Sequence, residues 1–551
     1  MNRANSRGLA LKGIMIVFFV GGLLYPILQV LCNITPETLV KTVGSQQFQG
    51  ALWRTLGTTT SATCIAVIMA CIASWAVVRT NMPLKSMFAV LFTIPMLIPS
   101  YSHASGLILV FGQNGILTNW LNLDEVFGSG TYIYGFWGIV LGSVMFSMPV
   151  AFIMISDIMK YQDSTPYEAA EVMGIPRKNQ FTSITYPYYR KPLISVIFVV
   201  FTAIVTEYGV PHLIGGQYST ISSLMYNNTV KLLDYEKGSV YGAFLLIPAV
   251  VAFILDFANK DKGNMAFIGK KFEIKPNLRR DLLALAAALV MTSFLFLPIL
   301  SAAYRSFIVK YPVDTSFSMA HYVTVALKSG FKYLSNSLII ALAASVLGVA
   351  IAYVDAYLTV RMRSKSSRLL HLLTMTTMAV PGIVLGLSYV MVFKGTFIYN
   401  TFAIMIMVNV VHMFASPYLM LYNTFGKLNE NLEDVGTTLG ISRFHMIKDI
   451  IIPLTETTIW DAMAYFFIQC MKTITAVAFL WTSQTKPLAL KMDEYNAAVE
   501  FENVAVCTML ILGFNILYKI FVYWRQHVAT KKRNKMGNVA VPGAQVAEAT
   551  K

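Results

Sequence analysis

Charge is scarce in this chain. Only 13% of its 551 residues are Asp, Glu, Lys or Arg, against about 25% in a soluble globular protein. That deficit excludes a soluble enzyme. An apolar content of 56% and a mean hydropathy of +0.60 exclude a disordered chain. Cysteine is scarce too. The five (Cys32, Cys64, Cys71, Cys470, Cys507) are odd in number, lie in or beside apolar runs and form no Cys-x-x-Cys. This excludes a disulfide framework and a zinc site. His, Cys, Asp and Glu nowhere cluster at ligand spacing, so neither a metal site nor a cofactor is expected. A Gly-x-x-x-x-Gly-Lys-Ser/Thr loop is also lacking. Phe425-Gly426-Lys427-Leu428 has no hydroxyl residue after the lysine and no upstream glycine, so the chain is not expected to hydrolyse ATP.

What is abundant is long apolar sequence. A membrane helix needs about 20 mainly apolar residues. Twelve stretches qualify: 12–32, 52–78, 87–111, 135–157, 193–214, 239–257, 282–303, 334–359, 370–393, 401–424, 458–481 and 501–523. The first lacks a small-x-small exit site and is read as a span rather than a cleaved signal. The net charge of +16 resembles that of a DNA-binder, but its placement does not. With the N-terminus in the cytoplasm, 30 of the 43 Lys and Arg fall on the inner side and eleven on the outer, while Lys472 and Lys519 lie within spans. The basic excess is therefore a topology signal with both termini inside, and no nucleic-acid partner is expected.

The chain repeats itself. Arg54-Thr55-Leu56 opens a span ending at Arg79, and Asn336-Ser337-Leu338 opens one ending at Arg361, both at an offset of 282. Pro99 and Pro381 share that offset. It falls to 268 for Pro149 and Pro417 and to 266 for Gly174 and Gly440. The difference is absorbed by one outer loop, long at 112–134 and nearly absent at 394–400. The fold predicted is an all-α polytopic membrane protein of about 12 helices, in two parallel six-helix repeats. The halves are 1–258 and 282–530, joined by a basic cytoplasmic linker at 259–281 and followed by a basic tail at 531–551.

Between the fourth and fifth spans lies Thr165-Pro166-Tyr167-Glu168-Ala169-Ala170-Glu171-Val172-Met173-Gly174. Thr165 is placed to cap a helix, Pro166 suits its first position, Glu168 completes a capping box and Gly174 stops it. A second stretch ends at Pro187. The other half offers Asn431 as cap, Asp434 in the first turn, Gly440 as stop and a second stretch from Ser442 to Pro453. Ala169, Ala170 and Gly436 are expected to leave a flat face open to another protein.

Glu168-Ala169-Ala170, Gly174 and Pro187 resemble the EAA loop of permease subunits of bacterial ABC importers. Asp434-Val435-Gly436, Gly440 and Pro453 keep the spacing and depart at the second and third letters. The resemblance extends through both halves. It implies the type I ABC importer transmembrane fold, with coupling loops at 159–192 and 425–457. It also implies two ABC ATPase subunits on the cytoplasmic side, a solute-binding protein outside, and residence in the bacterial cytoplasmic membrane. All ten of these residues are then coupling positions.

An ionisable residue at mid-bilayer costs about 2.5–3.5 kcal/mol on the insertion scale. Glu207 lies in the fifth span and Lys472 in the eleventh. The 266 offset places Glu207 opposite Thr473, beside Lys472. Two readings stand: both face the axis between the halves as pathway or gate, or they are a structural pair or separately satisfied by backbone. Asp355 reads as a wetted helix end or a ligand. Tyr101 and His103, after Pro99, read as iron or anion ligands or as core. The repeat-equivalent Pro99 and Pro381 suggest a shared kink, either lining a cavity or simply packing.

Thr206-Glu207-Tyr208-Gly209-Val210-Pro211 with Leu213-Ile214-Gly215-Gly216, and Thr473-Ile474-Thr475-Ala476-Val477-Ala478-Phe479-Leu480, resemble paired segments of the fused iron(III) permeases, with Glu207 where Asp is usual. This adds Tyr208 and Thr475 to Glu207, Lys472, Pro99 and Pro381 as pathway candidates, and favours ferric iron as solute. Permeases for 2-aminoethylphosphonate, phosphosugar, thiamine or polyamine look similar. A major-facilitator transporter would share the repeat. It should, however, carry Gly-x-x-x-Asp-Arg-x-Gly-Arg-Arg where this chain has Arg79-Thr80-Asn81-Met82-Pro83-Leu84-Lys85.

Overall fold

The computed structural model describes residues 3–539 apart from 123–124, 126–132, 260–269, 271, 275, 329 and 430. Residues 260–269 of the expected linker, Asp124 in the long outer loop and the tail from 540 lie outside the described residues.

Among the described residues, eight helices are long and apolar enough to cross a bilayer: Gly8–Cys32, Gln46–Arg79, Phe136–Lys160, Arg177–Val205, Tyr235–Leu255, Leu278–Ser306, Phe331–Val360 and Phe501–Lys531. Three more are broken pairs. Lys85–Leu97 meets Ser100–Leu121 at 100°, Lys365–Ala379 meets Gly382–Phe393 at 108°, and Phe402–His412 meets Ala415–Gly426 at 54°. The first two breaks fall at Pro99 and Pro381, each immediately before the restarted helix. Proline cannot donate to the preceding turn, and the residue before it is pushed to extended backbone; Ile98 has ψ 156° and Val380 ψ 113°. The remaining expected span, the eleventh in chain order, is the helix Ile452–Lys472, made less apolar by Glu456, Asp461 and its threonines. A hairpin pairs Ile308–Lys310 with Asp314–Phe317 in the second half.

The fifth and eleventh spans differ from their expected limits of 193–214 and 458–481. The helices end at Val205 and Lys472. The apolar residues beyond them fold back instead of extending the helix. Gly209–Ile214 is a separate short helix against Phe136–Lys160, where Gly142 lets Val210 approach closely. Residues 475–480 are a run of turns. Apolar composition alone does not distinguish a span's last turns from a re-entrant segment.

The first helix of each half packs on the other half. Lys12 Nζ donates to Ser364 Oγ at 2.9 Å, the Tyr389 hydroxyl donates to Gly22 O at 2.8 Å, and Phe19 meets Phe414 edge-on at 5.0 Å. Reciprocally, Leu278–Ser306 lies on the first half. Ala284, Ala288, Met291 and Leu295 join its core, Asn81 N donates to Asp281 Oδ1 at 3.0 Å, and a Cβ on Gly106 would come within 2.4 Å of Pro298 Cα. The halves are thus interlocked. Large apolar side chains such as Val17, Ile68, Leu289 and Ile520 point outward along the spans, as a lipid-facing surface requires.

Asp355 is not a wetted helix end. It is fully buried and accepts hydrogen bonds from Thr374 Oγ1 at 2.6 Å and Thr359 Oγ1 at 3.4 Å. All five cysteines are free thiols.

Candidate functional site

Two short helices, Thr165–Val172 and Leu432–Thr438, stand at matching places in the repeat. Each runs into a glycine at positive φ, Gly174 at +66° and Gly440 at +72°. Each closes the same way. Gly174 N donates to Glu171 O and Ile175 N to Ala170 O; Gly440 N donates to Thr437 O and Ile441 N to Gly436 O. Only glycine adopts this conformation without strain. A four-residue helix follows each (Arg177–Gln180, Arg443–Met446) and leads to Pro187 and Pro453 in the first turn of the long helices.

The first cap differs from its expected form. Ser164 occupies the cap position, one residue before Thr165. Asp163 Oδ1 accepts from Thr165 N at 3.1 Å, and Glu168 accepts from Ser164 Oγ at 2.9 Å and from Lys270 Nζ at 2.9 Å. The lysine and serine donors hold the Glu168 carboxyl below the usual carboxylate range, and Glu168 in turn raises Lys270. Asn431 does stand at the second cap, without a side-chain cap bond.

The small residues also behave differently from the flat face expected. Ala169 is exposed, but its neighbour Ala170 and the repeat-equivalent Gly436 are buried. A Cβ on Gly436 would fall 1.6 Å from Met446 Cε. These two positions let each short helix sit close on the segment that follows it. The apolar residues facing outward are Val172 and Met173 in the first copy, and Val435 and Leu439 in the second; Met173 and Leu439 are each 69% exposed. An apolar residue directly before both stop glycines was the available signal for that pair.

Repeat-equivalent arginines anchor the two loops. Arg79 donates to Met159 O at 3.0 Å and to Gln162, whose Nε2 donates to the Tyr167 hydroxyl at 2.7 Å. Arg361 pairs with Glu433 and donates to Leu428 O at 3.2 Å. The first loop has an added brace from the linker. Phe272 stacks over the Arg79 guanidinium at 3.7 Å and meets Tyr167 edge-on at 5.1 Å.

Between the halves lies a cavity of about 350 Å³ lined by residues of both, among them Ser100, Glu207, Pro381, His412, Lys472 and Thr475. Pro99 and Tyr208 are not part of its lining. Glu207 Oε1 accepts from Ser100 Oγ at 2.8 Å and from Gly209 N at 2.7 Å. Lys472 Nζ donates to Met96 O at 2.8 Å. No direct ion pair joins Glu207 to Lys472; each is satisfied separately while lining one space. Met96 lies in the stretch before the break at Pro99, and the neighbouring Leu97 carbonyl accepts from Asn515 Nδ2 at 2.7 Å. Carbonyls freed by the first half's break are thus bonded by the second half. Tyr208 stacks on Tyr226 at 4.5 Å, and Tyr226 lies 6.2 Å from Phe479. His103 is fully buried and off the cavity lining. Among the described residues, no group of three or more His, Cys, Asp and Glu is placed to hold a metal ion.

The chain is similar to the ferric transport system permease protein FbpB of Actinobacillus pleuropneumoniae, 24% identical over 92% of this chain and 77% of that protein. It is 26% identical to the putative ferric transport system permease protein FbpB 1 of Haemophilus influenzae over 71% of this chain and 64% of the relative. It is 22% identical to the Fe(3+)-transport system permease protein FbpB 2 of the same organism, over 78% and 81% respectively. The family model of the binding-protein-dependent transport system inner membrane component matches twice, at residues 62–260 and 344–527. Those matches begin at repeat-equivalent residues, each takes in one short helix with its stop glycine, and together they leave no room for the major-facilitator alternative. The chain belongs to the family of binding-protein-dependent transport system inner membrane components: it is a multi-pass ABC importer permease with both halves fused in one polypeptide.

Proposed function

We propose that this permease imports ferric iron, driven by two ABC ATPase subunits docked on the short helices and fed by an external solute-binding protein. Both termini, the linker and the two loops then lie in the cytoplasm. The observation that carries the reading is the pairing of two features: two symmetric levers with outward Met173 and Leu439, and one cavity between the halves with Glu207 in its wall. An ATPase closing on both levers moves the halves against each other, and the cavity lies where they meet. The chain itself supplies no hydrolysis. Glu168, Ala169, Gly174, Asp434, Val435 and Gly440 shape the docking face, while Ala170, Gly436, Pro187 and Pro453 fix its angle to the long helices. Glu207 gives the pathway a carboxylate, a hard oxygen ligand suited to a small, highly charged cation. The iron-transport names of the relatives support that choice of solute.

The test is reconstitution with the ATPase subunits and candidate binding proteins. Iron-loaded binding protein should stimulate ATP hydrolysis and accumulate radiolabelled iron in proteoliposomes. Stimulation by a binding protein loaded with thiamine, polyamine, phosphosugar or 2-aminoethylphosphonate, with none for iron, would reassign the solute and leave the permease reading standing.

A further inference from the structure

Above the cavity, on the expected outer side, four side chains from four segments converge. Asp493 of Leu488–Ala497 is the hub. Its Oδ1 lies 3.3 Å from His212 Nε2 and accepts from the Tyr101 hydroxyl at 3.4 Å, and its Oδ2 accepts from the Tyr226 hydroxyl at 3.5 Å. Tyr101, His212 and Tyr226 belong to the first half and Asp493 to the second. The phenols are buried, whereas the Asp493 side chain is 38% exposed. The cluster therefore opens outward. It also leads inward: Ser100, next to Tyr101, bonds Glu207 in the cavity wall, and Tyr208, next to Glu207, stacks on Tyr226.

We infer that Tyr101, His212, Tyr226 and Asp493 form a staging site for a ferric ion at the outer mouth of the pathway, ahead of Glu207. The inference rests on the iron reading above. Two phenols and a carboxylate are hard oxygen donors, and imidazole is a ligand that also suits iron. A small six-coordinate cation with metal–oxygen bonds of about 2.0–2.1 Å holds adjacent ligand atoms roughly 3 Å apart. Each of the three partners already lies 3.3–3.5 Å from an Asp493 carboxylate oxygen, close to that spacing. Each phenol that ligates releases its proton to water on the Asp493 side, and the iron stays ferric throughout. Bonds through Asp493 keep the donors gathered and yield to the ion.

The experiment is an optical titration of the purified full chain in nanodiscs with ferric nitrilotriacetate. Phenolate bound to Fe(III) gives a visible ligand-to-metal charge-transfer band. Wild type should show it. Tyr101→Phe with Tyr226→Phe should abolish it, and Asp493→Asn should weaken binding by at least about tenfold, or about 1.4 kcal/mol. Size-exclusion profile and capture of the ATPase subunits verify that each variant is folded. No band in wild type, or an unchanged band in the folded double variant, overturns the site. Iron uptake by the reconstituted importer separates the two claims: uptake without a band removes the staging site alone, and a band without uptake or stimulation removes the iron reading.

Discussion

Lys472, the last residue of its helix, donates across the interface of the halves to the Met96 carbonyl at 2.8 Å. It thereby ties the eleventh helix to the backbone break of the third span. A charged donor to a buried carbonyl is worth about 1.5–3 kcal/mol, so this contact weighs on the relative position of the halves. Lys472→Met should lower the thermal midpoint and raise ATP hydrolysed per solute moved. Unchanged stability together with unchanged coupling would show that the contact has no such role.

The stop glycines make a second prediction. A Cβ on Gly174 or Gly440 meets nothing within 4 Å, so the strain of substitution lies in the positive φ alone. Alanine at either position should cost about 1 kcal/mol or slightly more and should reorient Met173 or Leu439. Gly174→Arg adds bulk to the docking face. Membrane insertion should stay normal while uptake falls and ATPase capture weakens. Full transport by Gly174→Arg would remove the coupling assignment.

Gly436 and Met446 should behave as a pair. Gly436→Ala forces its new methyl onto the far end of the Met446 side chain, and overpacking of this kind costs typically about 1–3 kcal/mol. Met446→Ala should relieve it. In a double-mutant cycle on uptake, Gly436→Ala with Met446→Ala should outperform Gly436→Ala alone. Additive losses would mean that the helix does not depend on this close approach.

The linker brace is electrostatic at its exposed end. Glu168 accepts from Lys270 and is held below the usual carboxylate range by that bond first and by Ser164 second. A carboxyl so lowered contributes above its unfolded pKa and loses the contribution as pH falls through the folded value. The brace should therefore persist at neutral pH and fade in acid or at high salt. Lys270→Glu should speed amide exchange at Lys270, whose N–H donates to Asp163, and at Ser164, whose N–H donates to the Lys270 carbonyl, and adding Glu168→Lys should restore protection. Exchange indifferent to both charges would leave the linker without a role at this loop.

Much of the fold was legible because its signals are local. Hydropathy marks the spans, and Pro99 and Pro381 mark the breaks. Gly174 and Gly440 announce helix stops because positive φ restricts the choice of residue. Long-range relations left no such mark. The crossing of Gly8–Cys32 onto the other half, the docking of Phe272 on Arg79, and the choice of Met96 as partner for Lys472 depend on which surfaces meet, and period and composition are blind to that. The inward turn of Ala170 and Gly436 has the same origin: a small residue suits a contact surface and a tight core equally. The fold-back after Val205 left no mark because Val210, Leu213 and Ile214 carry the apolar run onward past the helix end.

On the proposed reading, an external motor drives this permease through two short levers. The most direct measurement is solute accumulation in proteoliposomes containing the chain with and without its ATPase subunits and binding protein. Accumulation should require ATP and all three components, and should vanish when both Gly174 and Gly440 are replaced by arginine. Accumulation by the chain alone, driven by a proton or sodium gradient, would contradict it.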